Sequence, residues 1–161
     1  MKKYIISFLS AALVSAAFSA VSFADSSTVP TRLESLADLT QSIGASSGWQ
    51  TKNNIRARVY TDATSYGPGS KNINVTIDKS TVGAADYQIY VWSQTSSGST
   101  ISDIYGTIGT SSITHSIPIS RLLPVNSQGT FTVMLKVFQY GNPDGWLGDW
   151  ETSSFSVVRT N

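Results

Sequence analysis

From Asn54 onward, apolar and polar residues alternate with a period of two. Ile55, Ala57 and Val59 alternate with Arg56, Arg58 and Tyr60, and the stretch Tyr66 to Ser70 then breaks the chain. Ile73, Val75 and Ile77 alternate with Asn72, Asn74 and Thr76, and Tyr87, Ile89 and Val91 with Gln88, Tyr90 and Trp92. A period of two places successive side chains on opposite faces of an extended chain, so these segments predict half-buried strands. Ile104 and Ile108 mark a weaker fourth strand, interrupted by Gly106 and Gly109, and Ile113, Ile117 and Ile119 mark a fifth. The sixth and strongest carries Phe131, Val133, Leu135 and Val137 on one face, with Thr132, Met134, Lys136, Phe138 and Tyr140 on the other. A last strand runs from about Thr152 to Arg159, with Phe155 and Val157 inward. Short strands separated by Gly, Ser, Asn and Pro turns predict an all-β fold, an antiparallel β-sandwich of about seven strands.

One segment has a different period. Between Thr31 and Gly44, Leu33, Leu36, Leu39 or Thr40, and Ile43 recur at helical spacing, Thr31 and Glu34 form a capping box, and Gly44 is a natural stop. This predicts a short amphipathic helix, too short to persist without docking. A linker, Ala45 to Trp49, joins it to the strands.

The first residues follow a third pattern. Lys2 and Lys3 precede an uncharged apolar run from Tyr4 to Ala20, and Ser22-Phe23-Ala24 presents small residues around a cleavage position. This is the pattern of a secretory signal, cut after Ala24 to leave Asp25 as the new terminus. It predicts a secreted or periplasmic protein with three parts: signal 1–24, leader with helix and linker 25–50, and β domain 51–161. No cysteine stands at the cleavage position for a lipid anchor, and no second long apolar run follows. Without a second span, membrane attachment after signal removal is not expected.

Composition narrows the partners. The chain has eleven Lys plus Arg and ten Asp plus Glu; removing Lys2 and Lys3 leaves nine against ten, a net of −1. A near-neutral surface without basic clusters excludes nucleic acid as a partner. The mature length, 161 − 24 = 137 residues, suits one domain, and with no cysteine its core must suffice without disulfides.

The stretch from Ser116 to Gly141 resembles the turn into the penultimate strand of fibronectin type III modules, where a Leu-x-Pro-like corner precedes an alternating aromatic strand. Leu123, Pro124, Phe131 and Val133 hold those places, and Asp86 to Trp92 is similar to that fold's third strand. The resemblance spans residues 54 to 159 as strand order and implies immunoglobulin-like architecture, which carries no function by itself.

No enzyme chemistry is indicated, and no cofactor is implied. His115, the single histidine, sits in period with Ile113 and Ile117 and reads as structural, with no strained nucleophile turn to serve. Asp144, Asp149 and Glu151 offer carboxylates, and with Asn142 oxygen ligands, but their spacing matches no calcium loop. No metal site is expected.

The most informative stretch is Tyr140 to Glu151, YGNPDGWLGDWE, read as a polar loop around an Asn142-Pro143-Asp144-Gly145 turn. Trp146, Trp150 and Tyr140, beside Asp144 and Asp149, form a candidate ligand site: aromatic faces stack on sugar rings and carboxylates bind hydroxyls. Trp92 is expected between sheet and helix, and Trp49 as a pin for the linker. The first functional expectation is a non-enzymatic binding module for polysaccharide or another cell-surface component. The alternative is a protein-interaction or inhibitor domain acting on an extracellular protein through a sheet edge or the 140–151 loop. A remote third reads the Ser/Thr-rich span 93–116, with Ile101, Ile104, Ile108 and Ile113, as a hairpin like those of membrane-active toxins.

Overall fold

The computed structural model describes residues 43–161. The signal at residues 1–24 and, apart from its last two positions, the helix expected from Thr31 to Gly44 lie outside the described residues. Ten strands follow: β1 (Gln50–Lys52), β2 (Ile55–Thr61), β3 (Ser65–Tyr66), β4 (Asn72–Lys79), β5 (Ala85–Ser93), β6 (Ile101–Ile108), β7 (Ser111–Pro118), β8 (Ser127–Gln139), β9 (Asn142–Glu151) and β10 (Phe155–Arg159). A single 3-10 turn, Ile119–Arg121, leads from β7 toward β8.

The strands form two sheets. The first has the order β1-β2-β4-β7; the second has the order β3-β10-β8-β5-β6, with β9 also on β8. Strand β8 is long enough to serve two neighbours on one side. Its first part, Ser127 to Phe131, pairs with β10, and its later part, Met134 to Gln139, pairs with β9. All pairs are antiparallel except β3 with β10. The inner faces meet in one core. Val59, Val75 and Ile77 come from the first sheet, and Ile89, Val91, Phe131, Val133, Leu135 and Val157 from the second. Each such side chain contributes about 1.5–3 kcal/mol when fully buried. This is an immunoglobulin-like β-sandwich: the alternation predicts the sandwich, and the resemblance implies its immunoglobulin-like architecture.

Three features depart from the sequence-based expectation. Residues 140–151 are not a loop: β9 pairs with β8 over most of its length, because open hydrogen-bonding positions along the long β8 outweigh the poor strand propensity of Asn, Pro and Gly. Pro143, Asp144 and Gly145 bulge between the pairs Gln139↔Asn142 and Phe138↔Trp146, and the chain turns at Tyr140-Gly141. Second, a short strand that the alternation does not mark, β1, follows the expected linker. The polar trio of β1 reaches β2 through Asn53-Asn54, at φ 44° and 65°, the left-handed pair that a tight hairpin requires. Third, β6 and β7 are not one hairpin. After Gly109-Thr110 the chain crosses between sheets, β6 pairing with β5 and β7 with β4. Ile101 and Ile108 are buried in the shared core, and Ile104 and Ile113 pack against it, so the span does not present one apolar membrane face. Gly44 packs against the chain that follows β2. Its N–H donates to Thr61 O at 2.7 Å, and a Cβ there would lie 2.3 Å from the Ala63 carbonyl carbon. Close backbone approach explains the glycine.

Candidate functional site

Register alone assembles the outer face of the second sheet. Residues directly opposite one another share a face, so cross-strand pairs read as rows. One row runs Thr107, Asp86, Phe138, Trp146 across β6, β5, β8 and β9; the next runs Tyr105, Gln88, Lys136, Asp149. A third joins Tyr90, Met134 and Glu151. The result is an aromatic surface. Tyr105 is 76% exposed, Tyr140 67% and Trp146 56%, and Phe138 and Tyr90 are half-buried among them.

The residues singled out in the sequence divide. Trp146 lies on this surface, and Tyr140 is exposed at the turn into β9. The Trp146 Nε1–H donates to Asp149 Oδ1 at 2.9 Å, which holds the indole against β9. Asp144 is exposed at the bulge, where its N–H donates to Asn142 Oδ1 at 3.2 Å. Trp150 is the exception. It is 0% exposed and belongs to the core, with Nε1–H donating to Gln50 O at 3.2 Å. A buried indole offers no face to a sugar ring, so Trp150 is not part of a surface site. The bulges in β9 explain the split: they set which of the two tryptophans faces outward. Among the described residues no group of three or more His, Asp or Glu gathers as metal ligands.

The free edge of β9 is covered at one point by the β1–β2 turn. Lys52 Nζ donates to Asp149 O, and Asn53 Nδ2 donates to Leu147 O at 2.9 Å. These side chains occupy edge carbonyls that would otherwise invite another strand.

Residues that the sequence reading did not select complete the face. Trp92 stacks on Tyr90, with centroids 5.7 Å apart, and Lys136 Nζ stands 5.1 Å from the Tyr90 ring centre. Tyr105 lies on β6, the last strand of the sheet. Between Tyr105, Phe138 and Pro143 the surface sinks into a cleft of about 540 Å³ that Asp86 and Thr107 also line. Asp86 is fixed there. Its Oδ1 accepts from Thr107 Oγ1 at 2.6 Å and its Oδ2 from the Gly141 N–H at 2.8 Å. The Thr107 bond, then the Gly141 bond, holds the carboxyl below its ordinary value of 3.8, so it is ionised at neutral pH. Period two in β5 and β8 signals these positions; nothing local signals that β6 and β9 flank them.

On the first sheet Trp49 lies between guanidinium groups, Arg56 at 5.0 Å and Arg58 at 4.9 Å from its ring centre. Arg58 also pairs with Asp78 at 2.6 Å.

Over residues 43–158 the chain matches the model of the YqgA MG2 macroglobulin domain. The chain belongs to this macroglobulin domain family. The match spans both sheets from the chain before β1 into β10, so it covers the whole outer face. No curated protein and no solved structure matches. Membership in a macroglobulin MG2 family agrees with the immunoglobulin-like architecture; the fibronectin type III likeness extends no further than that shared architecture.

Proposed function

We propose that the chain is an exported protein-interaction module of the macroglobulin type, binding an extracellular protein through the outer face of its second sheet. The observation that carries this reading is the outer face that Tyr105, Phe138 and Trp146 share on β6, β8 and β9 of a macroglobulin-family domain, with Tyr140 exposed at the β8–β9 turn. Exposed aromatics supply large contact area at small entropic cost and are enriched where proteins meet. An inhibitor-like role is the narrower form of the same reading. Export rests on the charged, apolar and small-residue pattern of residues 1–24.

The test sets the mature chain beside the double variant Tyr105→Ser, Trp146→Ser, both immobilised and exposed to proteins of the culture medium. Circular dichroism checks that the variant folds. Proteins held by the unaltered chain and lost from the variant are the expected outcome. Equal retention by both, or none by either, overturns the assignment to this face.

A second reading, polysaccharide binding, keeps one supporting observation: Trp146 and Tyr140 are exposed near Asp149 and Asp144. Without Trp150 the platform is smaller than the sequence suggests. A saturable tryptophan-fluorescence shift with soluble polysaccharide, lost in Trp146→Ala, would favour it over a protein partner.

A further inference from the structure

We infer that the cleft between Tyr105 and Phe138 receives a Lys or Arg side chain of the protein partner, with Asp86 as its counter-ion. The inference rests on the protein-interaction reading and gives it a chemical specificity. Among the described residues, Asp86 is the one carboxylate lining the cleft, and no Lys or Arg lines it. The two ion pairs among the described residues lie elsewhere, Arg58 with Asp78 and Arg121 with Asp103. Lys136, the nearest cation in the rows of the sheet, is drawn to the Tyr90 ring instead. A negative charge thus stands in an aromatic depression, held by two neutral donors and, among the described residues, answered by no cation.

The geometry of those donors matters. Thr107 Oγ1 takes one carboxylate oxygen and the Gly141 N–H the other, which leaves each oxygen a further lone pair for a donor from solution. Two carboxylate oxygens held in a fixed plane suit the paired N–H groups of a guanidinium or one ammonium between them. The walls suit the rest of such a side chain. Phe138 and Pro143 offer apolar surface to its methylenes, and the Tyr105 ring offers a π-face to its charge. A cleft of about 540 Å³ admits one long side chain with room for water. A neutral apolar residue would fill the same space but leave an ionised carboxylate facing it without a partner, which costs binding. The charge therefore selects a basic residue over an apolar one.

Asp86 also staples the Tyr140-Gly141 turn to β6, so a structural role alone has to be separated from a binding one. Tyr105 makes that separation, because the Asp86 bonds go to Thr107 and Gly141. The experiment follows backbone amide resonances of the mature chain during titration with N-acetyl-arginine amide, N-acetyl-lysine amide and N-acetyl-citrulline amide. Citrulline keeps the shape of arginine without its charge. Saturable shifts at Gly106, Thr107 and Gly141 are expected with the two cations, and binding about tenfold weaker with citrulline. Tyr105→Ala and Asp86→Asn should each weaken the cations several-fold. Should Asp86→Asn fail to fold, Tyr105→Ala and the citrulline comparison still decide. Equal binding of citrulline, an unchanged Tyr105→Ala, or no saturable shift overturns the cleft as a cation site. If partner retention by the whole face survives that result, the interaction reading stands and only its specificity falls; if retention fails too, both fall.

Discussion

The Tyr87 hydroxyl and His115 Nε2 share a 2.8 Å hydrogen bond that joins β5 of one sheet to β7 of the other. The two rings sit 5.8 Å apart on the side of the sandwich where β6 and β7 are the outermost strands. Burial lowers the His115 imidazole from 6.5 and raises the Tyr87 phenol from 10.0, so the fold favours the neutral form of both.

A pH dependence of stability is the first consequence. Above pH 6.5 His115 is neutral whether folded or not; as pH falls below 6.5 toward the lowered folded value, the unfolded chain protonates first and stability declines. His115→Gln should flatten that decline, read as the difference in urea midpoint between about pH 7.5 and about pH 5.5. An unchanged difference would show that the imidazole does not carry it. At the alkaline end the sign reverses. Tyr87, raised by burial, and Tyr66, raised by burial and by the neighbouring Asp62, stay protonated in the fold while the unfolded chain ionises above pH 10, so stability falls there.

The two tryptophans of β9 should behave oppositely. Trp150→Ala removes a fully buried indole and its bond to Gln50, and is expected to destabilise by about 3–5 kcal/mol. Trp146→Ala, at an exposed position, should change stability by about 0.5 kcal/mol or less while weakening partner binding. Urea unfolding of the two variants checks both. A mild Trp150→Ala would contradict its place in the core.

Gly106 leaves room for Tyr87. A Cβ at Gly106 would lie 2.8 Å from the Tyr87 hydroxyl and 3.0 Å from Cζ, the end of the ring that bonds His115. Gly106→Ala should therefore cost about 1–3 kcal/mol and disturb the bond between sheets. The imidazole carbon resonances of His115, followed through the titration, should move in the variant. A stability within about 0.5 kcal/mol of the unaltered chain would mean that the ring yields freely.

Asn54 holds φ 65° in the turn that carries Lys52 and Asn53 to the β9 edge. Asn tolerates the left-handed region and a β-branched residue does not. Asn54→Val is expected to destabilise by about 1–2 kcal/mol, with Asn54→Gly close to neutral, measured by thermal unfolding of both. Equal melting of the Val and Gly variants would argue against a strained turn.

The same contrast governs what was legible in the chain. Strands β2, β4, β5 and β8 announce themselves through strict alternation, since each has one face on the core and one on water. Strand β9 does not. Its Asn, Pro, Asp and Gly residues carry turn chemistry, and only the long β8 beside it supplies the hydrogen bonds that make it a strand. The candidate site follows suit: Tyr140 and Trp146 are exposed as the sequence suggests and Trp150 is buried, because bulges reset the phase within one strand. Tyr105 lies in a segment that reads as a weak strand, where nothing local marks it.

Local pattern thus determined that this chain would fold as a two-layer β domain, which residues would make most of its core, and that exposed aromatics would cluster near its penultimate turn. Those properties depend on side-chain periodicity, and periodicity is written in order along the chain. The tertiary structure alone decided that β6 and β7 belong to different sheets, that Trp150 is core, and that Asp86 faces Tyr105 and Phe138 across one cleft. Each of those outcomes rests on pairing between strands far apart in sequence, where register and bulges, not local propensity, choose the face a side chain shows.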